Sequence, residues 1–288
     1  MNGEPEFRTH RWRSRDGLLL YSRVYEAAGP AAPAVLCLPG LMRNSRDFED
    51  LAPHLSVHYQ VICPDLRGRG LSDRDPVWQN YQPETYLGDL VELVGGLGVR
   101  RMAVIGTSMS GLLAIMLPGL MPAAITGLVL NDIGPEIDPA GVARIQGYAG
   151  KMPPVHTWED AVAQLRTLYS GVWPGLSDAM WVRLAQRTYR EDGSGTPVVD
   201  CDPRVGDALR AVAPAGDLWG AWAQLGALPV LAIRAAMSDL LSVATFARMQ
   251  HEKPDLVQLT VATRGHVPLL DEPECLAAID AFLAGVAG

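Results

Sequence analysis

Short apolar runs separated by helix-period stretches constrain the fold of this chain more than any other feature. Residues 34–38 and 102–105 are apolar at every position. Such runs suit strands of a parallel sheet, which is buried on both faces. Residues 61–63, 125–130, 228–234 and 256–261 continue the series. Between them lie helical patterns at 47–55, 83–97, 112–117, 243–249 and 271–284. In 83–97 the apolar positions Tyr86, Leu87, Leu90, Val91 and Val94 recur at helical spacing. Strand and helix in alternation predict an α/β protein with a mostly parallel sheet. An antiparallel hairpin, residues 7–13 and 18–25 about the Asp16-Gly17 turn, precedes it and brings the expected sheet to eight strands. A loop of small residues at 26–33, marked by Gly29-Pro30 and Pro33, follows the hairpin.

The alternation stops after Pro135 and resumes near residue 225. Residues 136–224 read as helices and loops with no buried strand, broken at Met152-Pro153-Pro154, Trp173-Pro174-Gly175 and Asp192-Gly193-Ser194-Gly195. Five of the seven tryptophans, Trp158, Trp173, Trp181, Trp219 and Trp222, lie here, which suits a helical lid with an apolar underside. The expected organisation is a core domain of residues 1–135 and 225–288, with a helical cap of residues 136–224 inserted after the sixth strand.

The 288 residues are 48% hydrophobic, enough for a sizeable core. The formal net charge of −8, without a basic patch, argues against a nucleic-acid partner. No apolar run approaches the roughly 20 residues that span a bilayer. The polar start, Met1 to Glu6, lacks the apolar segment of a signal peptide. The expectation is a cytoplasmic protein, monomer or homodimer, that does not engage membrane. Cys37, Cys63, Cys201 and Cys275 have no metal-ligand spacing, and the six histidines include no clasping pair. No metal or cofactor is expected. Cys37 and Cys63 read as small core residues, possible neighbours on adjacent strands.

The chemistry concentrates at residues 102–111. A strand leads into Gly106-Thr107-Ser108-Met109-Ser110-Gly111, and helical character follows at once. A turn this sharp strains its central residue and pushes the side chain outward. Gly106 and Ser110 are small because the strand end and helix start pass close together, and Gly111 lets the helix pack near the sheet. The helix N-terminus favours developing negative charge. A second strand end, Pro39-Gly40-Leu41, offers the Leu41 amide as an oxyanion donor. Serine needs a base within hydrogen-bond reach, and that base needs an acceptor to fix its tautomer. Of the histidines only His266 follows a strand directly, so its loop opens at the same sheet edge as Ser108. His10, His54, His58, His156 and His251 fall elsewhere. The acid is expected at the same edge. Asp239 follows the 228–234 strand and is preferred, since it gives the order Ser, Asp, His; Asp132, after the 125–130 strand, is the other candidate.

These residues carry a resemblance. Pro39-Gly40-Leu41, the Asp65-Leu66-Arg67-Gly68-Arg69-Gly70-Leu71-Ser72 loop, Gly106 to Gly111, Ser238-Asp239 and Gly265-His266 resemble the α/β-hydrolase superfamily over nearly the whole chain. The nearest branch is the lidded esterases, lactonases, haloperoxidase-like enzymes and C–C bond hydrolases. The resemblance implies Ser108 as nucleophile, His266 as base, Asp239 as acid, and the Leu41 and Met109 amides as the oxyanion hole. Serine at this position argues against dehalogenase and epoxide hydrolase chemistry. Three positions depart from the pattern: Pro39 for a usual His, Ser110 for a usual Gly, and Ala235-Ala236 where the strand before the acid commonly ends in Gly-Glu or Gly-Asp. The expected substrate is a small to medium ester or lactone, uncharged or aromatic. C–C hydrolysis of a diketone-like substrate is an alternative, with Arg183, Arg187 and Arg190 as cap groups for a substrate carboxylate. A slow-turnover receptor of the same fold is another. The 64–73 loop reads as one knitted by arginine bonds to carboxylates and carbonyls rather than as a phosphate site.

Overall fold

A computed structural model describes residues 6–27, 32–211 and 217–286. Met1 to Pro5 and the Gly29-Pro30 part of the 26–33 loop lie outside the described residues. The apolar runs form strands because their side chains point alternately to two faces and both faces are covered. In chain order the sheet strands are β1 (Arg8–Arg13), β2 (Leu19–Tyr25), β3 (Ala34–Leu38), β4 (Gln60–Asp65), β5 (Met102–Thr107) and β6 (Ile125–Asn131). The inserted segment contains two short strands, β7 (Tyr189–Glu191) and β8 (Pro197–Val199), and the sheet is completed by β9 (Val230–Ala235) and β10 (Val257–Val261). The eight-stranded order is β1-β2-β4-β3-β5-β6-β9-β10. β2 is antiparallel to both β1 and β4; the other pairings are parallel.

Along β3 to β9, Leu36, Ile62, Val104, Leu128 and Ala232 face one side. Helices α2 (Pro83–Leu97), α3 (Met109–Leu120), α8 (Trp219–Gln224) and α9 (Val243–Glu252) pack there. Val35, Cys37, Val61, Cys63, Ile105 and Leu231 face the other, under α1 (Leu51–Ser56) and α10 (Pro273–Val286). Register pairs Leu36 with Ile62, so Cys37 and Cys63 are neighbours on one face, buried and unbridged. The helix read at 47–55 is a 3₁₀ turn, Ser45–Phe48, followed by α1.

Between β6 and β9 come α4 (Pro139–Tyr148), α5 (Trp158–Tyr169), α6 (Asp178–Thr188), the β7–β8 hairpin, α7 (Arg204–Ala211) and α8. Caps set the starts: Thr157 and Asp160 form a capping box on α5, and the Ser177 side chain caps α6. The hairpin corrects the reading of 136–224 as strandless. Its strands are three residues each, too short for an alternation signal, and the Asp192–Gly195 breaker is its turn.

The 64–73 loop is knitted as its composition suggests. Buried Arg67 donates to Asp16, Asp75 and Asp89, the last through two bonds of 2.7 and 2.8 Å. Arg69 donates to the carbonyls of Leu41 and Arg67. Among the described residues no helix is long and apolar enough to cross a membrane.

Candidate active site

Ser108 stands where β5 turns into α3, at φ 52° and ψ −124°. Its N–H donates to the Asn131 carbonyl at 3.0 Å, and its carbonyl accepts from Gly111 at 2.8 Å. Two glycines make this turn possible. A Cβ on Gly106 would lie 2.6 Å from the Ser110 carbonyl oxygen, and one on Gly111 would lie 2.1 Å from Ile133 Cγ2. Ser110, the departure from glycine, is fully buried, and its hydroxyl donates to the Pro39 carbonyl. That bond ties the turn to the Pro39-Gly40-Leu41 strand end.

His266, in the loop between β10 and α10, places Nε2 2.7 Å from Ser108 Oγ. Its Nδ1 lies 2.8 Å from Asp132 Oδ2. A carboxylate only accepts, so Nδ1 carries the proton and Nε2 is left to accept from the Ser108 hydroxyl. Asp132 is fully buried directly after β6, at φ 56°, and its other oxygen accepts from the Ala235 N–H at 2.8 Å. A carboxylate this deep needs its hydrogen bonds satisfied, and both oxygens are.

The structure brings Asp132 to His266, and not the Asp239 preferred as the acid. Asp239 lies four residues beyond β9 and turns toward α4, where Arg144 grips both of its oxygens, one at 2.9 Å. That grip holds the Asp239 carboxyl below its usual value. Both candidates follow strands that end at this sheet edge; Asp132 follows β6, which pairs with the Ser108 strand β5. Ala235, one of the departures, supplies the amide that holds Asp132.

Gly40 and Leu41 line the cavity together with Ser108, and Met109 follows Ser108 directly in the chain. Met109 opens α3, so its amide has no intrahelical partner. Among the described residues neither the Leu41 nor the Met109 amide has a backbone acceptor. The cavity over Ser108 measures about 110 Å³ and takes Tyr148, Tyr169, Trp173, Leu184 and Arg187 from the inserted segment. Of the five tryptophans there, Trp173 alone lines it; Trp219 and Trp222 pack into the main core, and Trp158 and Trp181 pack with the inserted helices. Arg183 and Arg187 pair with Asp50, and Arg190 with Asp200, so all three already have protein carboxylates. Arg43, also in the wall, donates through Nε to both Asp47 oxygens, at 2.9 and 3.0 Å. Burial pushes the Tyr169 phenol up, which keeps it neutral.

Fold and site together define a class: a parallel-sheet α/β protein with a serine, an imidazole and a carboxylate in series at one sheet edge. Comparisons with known proteins place the fold. A model of the alpha/beta hydrolase fold family matches residues 33–179. The chain is 33% identical over 272 residues to a 3-hydroxybutyrate-oligomer hydrolase of Cupriavidus necator, covering 91% of this chain and 92% of that one. A 2-(acetamidomethylene)succinate hydrolase of Mesorhizobium japonicum is 26% identical over 255 residues, 88% of each chain. Among solved structures, an alpha/beta hydrolase from Novosphingobium aromaticivorans aligns with a TM-score of 0.92 at 41% identity, covering 98% of this chain and 99% of that one. This chain belongs to the alpha/beta hydrolase fold family.

Proposed function

We propose that this protein is a serine hydrolase of short-chain carboxylic esters, acting through an acyl-enzyme on Ser108. The observation that carries the reading is the unbroken series Ser108–His266–Asp132, which opens on the cavity. In this reading Ser108 Oγ attacks the ester carbonyl and passes its proton to His266 Nε2. Asp132 stays ionised and holds the imidazolium through Nδ1. The Leu41 and Met109 amides receive the developing oxyanion, each donor worth about 3 kcal/mol. The alcohol leaves with the proton from His266. Water, deprotonated by the same imidazole, then frees the acid and restores Ser108.

The substrate is small. A cavity of about 150 Å³ accepts benzene, so about 110 Å³ suits an acyl group of a few carbons. Similarity to the 3-hydroxybutyrate-oligomer hydrolase makes a short hydroxyacyl ester the first substrate to assay. The cap arginines weighed for a substrate carboxylate are paired within the protein, so C–C hydrolysis gains no support from them. The test is labelling with a fluorophosphonate probe, read by intact mass and peptide mapping. Wild type should be labelled at Ser108, and Ser108→Ala and His266→Ala should not. A folded wild type that takes no label would overturn the acyl-enzyme reading. A panel of 3-hydroxybutyrate dimers, lactones and esters of increasing acyl length should then favour the short acyl groups.

A further inference from the structure

The His266 loop is held from two sides. From the core, Asn131 Nδ2 donates to the Pro268 carbonyl at 3.0 Å, Met237 N–H donates to the Arg264 carbonyl at 3.0 Å, and Glu272 accepts from the amides of Leu269 and Leu270. From the inserted segment, two bonds land on the residues flanking His266. The Gly265 N–H donates to the Val172 carbonyl at 2.7 Å. The Trp173 indole N–H donates to the Val267 carbonyl, also at 2.7 Å. The approach is close: a Cβ on Gly265 would sit 3.1 Å from Val172 Cα, so Val172 would have to give by a few tenths of an ångström.

The strap at 172–173 is held in its turn by bonds and ring contacts. The Val172 and Trp173 amides both donate to the Tyr169 carbonyl at 2.9 Å, which ends α5. The Trp173 ring packs on Tyr169 at 5.0 Å and Trp181 at 6.2 Å between centroids. Tyr169 and Trp173 also line the cavity over Ser108. One short segment therefore touches both the space for substrate and the two peptides beside the imidazole.

We propose that Val172 and Trp173 are positioning residues for His266, so that the end of α5 sets whether the imidazole is aligned on Ser108. The inference rests on the reading of His266 as the base for Ser108. A small displacement of a reacting group costs far more rate than affinity; Asp132 from the core bonds the ring, and the inserted segment bonds the two peptides on either side of it. Contacts between an acyl group and Tyr169 or Trp173 bear on the same strap, so occupancy of the pocket and alignment of the base are coupled.

Two variants test this from opposite sides. Trp173→Phe keeps an aromatic ring and drops the N–H that meets Val267. Gly265→Ala forces Val172 away without touching the tryptophan. For each, kcat and KM on p-nitrophenyl butyrate and the rate of Ser108 labelling by the small fluorophosphonate are compared with wild type. Both variants should lower kcat and the labelling rate together, by about tenfold for one buried bond lost, with KM within about twofold. The double variant should lose less than the product of the two. A rise in KM with kcat and labelling unchanged would mean that Trp173 only contacts substrate, and would overturn the proposal. So would wild-type kcat in a folded Gly265→Ala protein. If wild type itself takes no label and turns over nothing, the assignment of Ser108 and His266 fails first, and the strap proposal with it.

Discussion

Ser108 and Asp132 both hold left-handed backbone, at φ 52° and 56°. A non-glycine residue there costs about 1–3 kcal/mol and persists only where its surroundings over-determine it. For Ser108 the surroundings are the Asn131 carbonyl and the first turn of α3; for Asp132 they are the Ile233 carbonyl and the Ala235 amide. The two carboxylates near this edge have different partners, His266 for Asp132 and Arg144 for Asp239, and substitution should separate their effects. Asp132→Asn should lower kcat by about 10⁴-fold with KM little changed, because the wrong imidazole tautomer is then held. Asp239→Asn should leave kcat within about threefold and act on stability instead. Arg144 holds the Asp239 carboxyl below its usual value. A lowered folded-state value means that its stabilisation is complete above the unfolded value of about 3.9 and is lost as pH falls through the folded value. With side-chain exposures of 34% and 39%, the pair is worth less than about 1 kcal/mol. Urea midpoints of wild type and Asp239→Asn should differ slightly near neutral pH and converge below about pH 4.

The elements bring these residues together through close backbone approach rather than side-chain bulk. Where β5 meets α3, Gly106 faces the Ser110 carbonyl oxygen and the Gly111 Cα, so an added methyl meets backbone that no rotamer change can move. Gly106→Ala should destabilise by at least about 1–3 kcal/mol. It should also slow Ser108 labelling in the molecules that remain folded, as seen by melting and probe labelling on one sample. The inserted segment meets the core in the same way at α4, where a Cβ on Gly141 would lie 2.4 Å from the Asp239 carbonyl oxygen. At the other end, polar bonds fasten α6: Asn44 donates to the Arg187 carbonyl, Arg46 to those of Gln186 and Tyr189, and Arg187 pairs with Asp50. The strap after α5 is a further attachment, and it bonds the residues on either side of His266.

Across the whole molecule, Arg67 ties the 64–73 loop to the hairpin turn through Asp16, to the chain just after the loop through Asp75 and to α2 through Asp89. Removing one partner of a buried set leaves the others uncompensated. Arg67→Met should therefore cost about 3–5 kcal/mol, measured as a fall in the urea midpoint with an unchanged slope. The sequence alone determined much of the plan. Runs apolar at every position require a sheet covered on both faces, and their alternation with helical periods makes that sheet parallel. The 106–111 turn is equally local, since its small residues and the strand and helix around it sit within about fifteen positions of one another. His266 was legible because a loop directly after a parallel strand opens at the same edge as every other such loop. The choice between Asp132 and Asp239 was not legible, because both follow strands at that edge and sequence does not say which way a side chain turns. Tertiary structure decided it: β6 lies beside the Ser108 strand, and Arg144 from the inserted helices takes Asp239. It also decided that Trp173 reaches the His266 loop, a contact across 94 positions of sequence. Periodicity records which face of an element is buried; what that face meets depends on how distant elements pack.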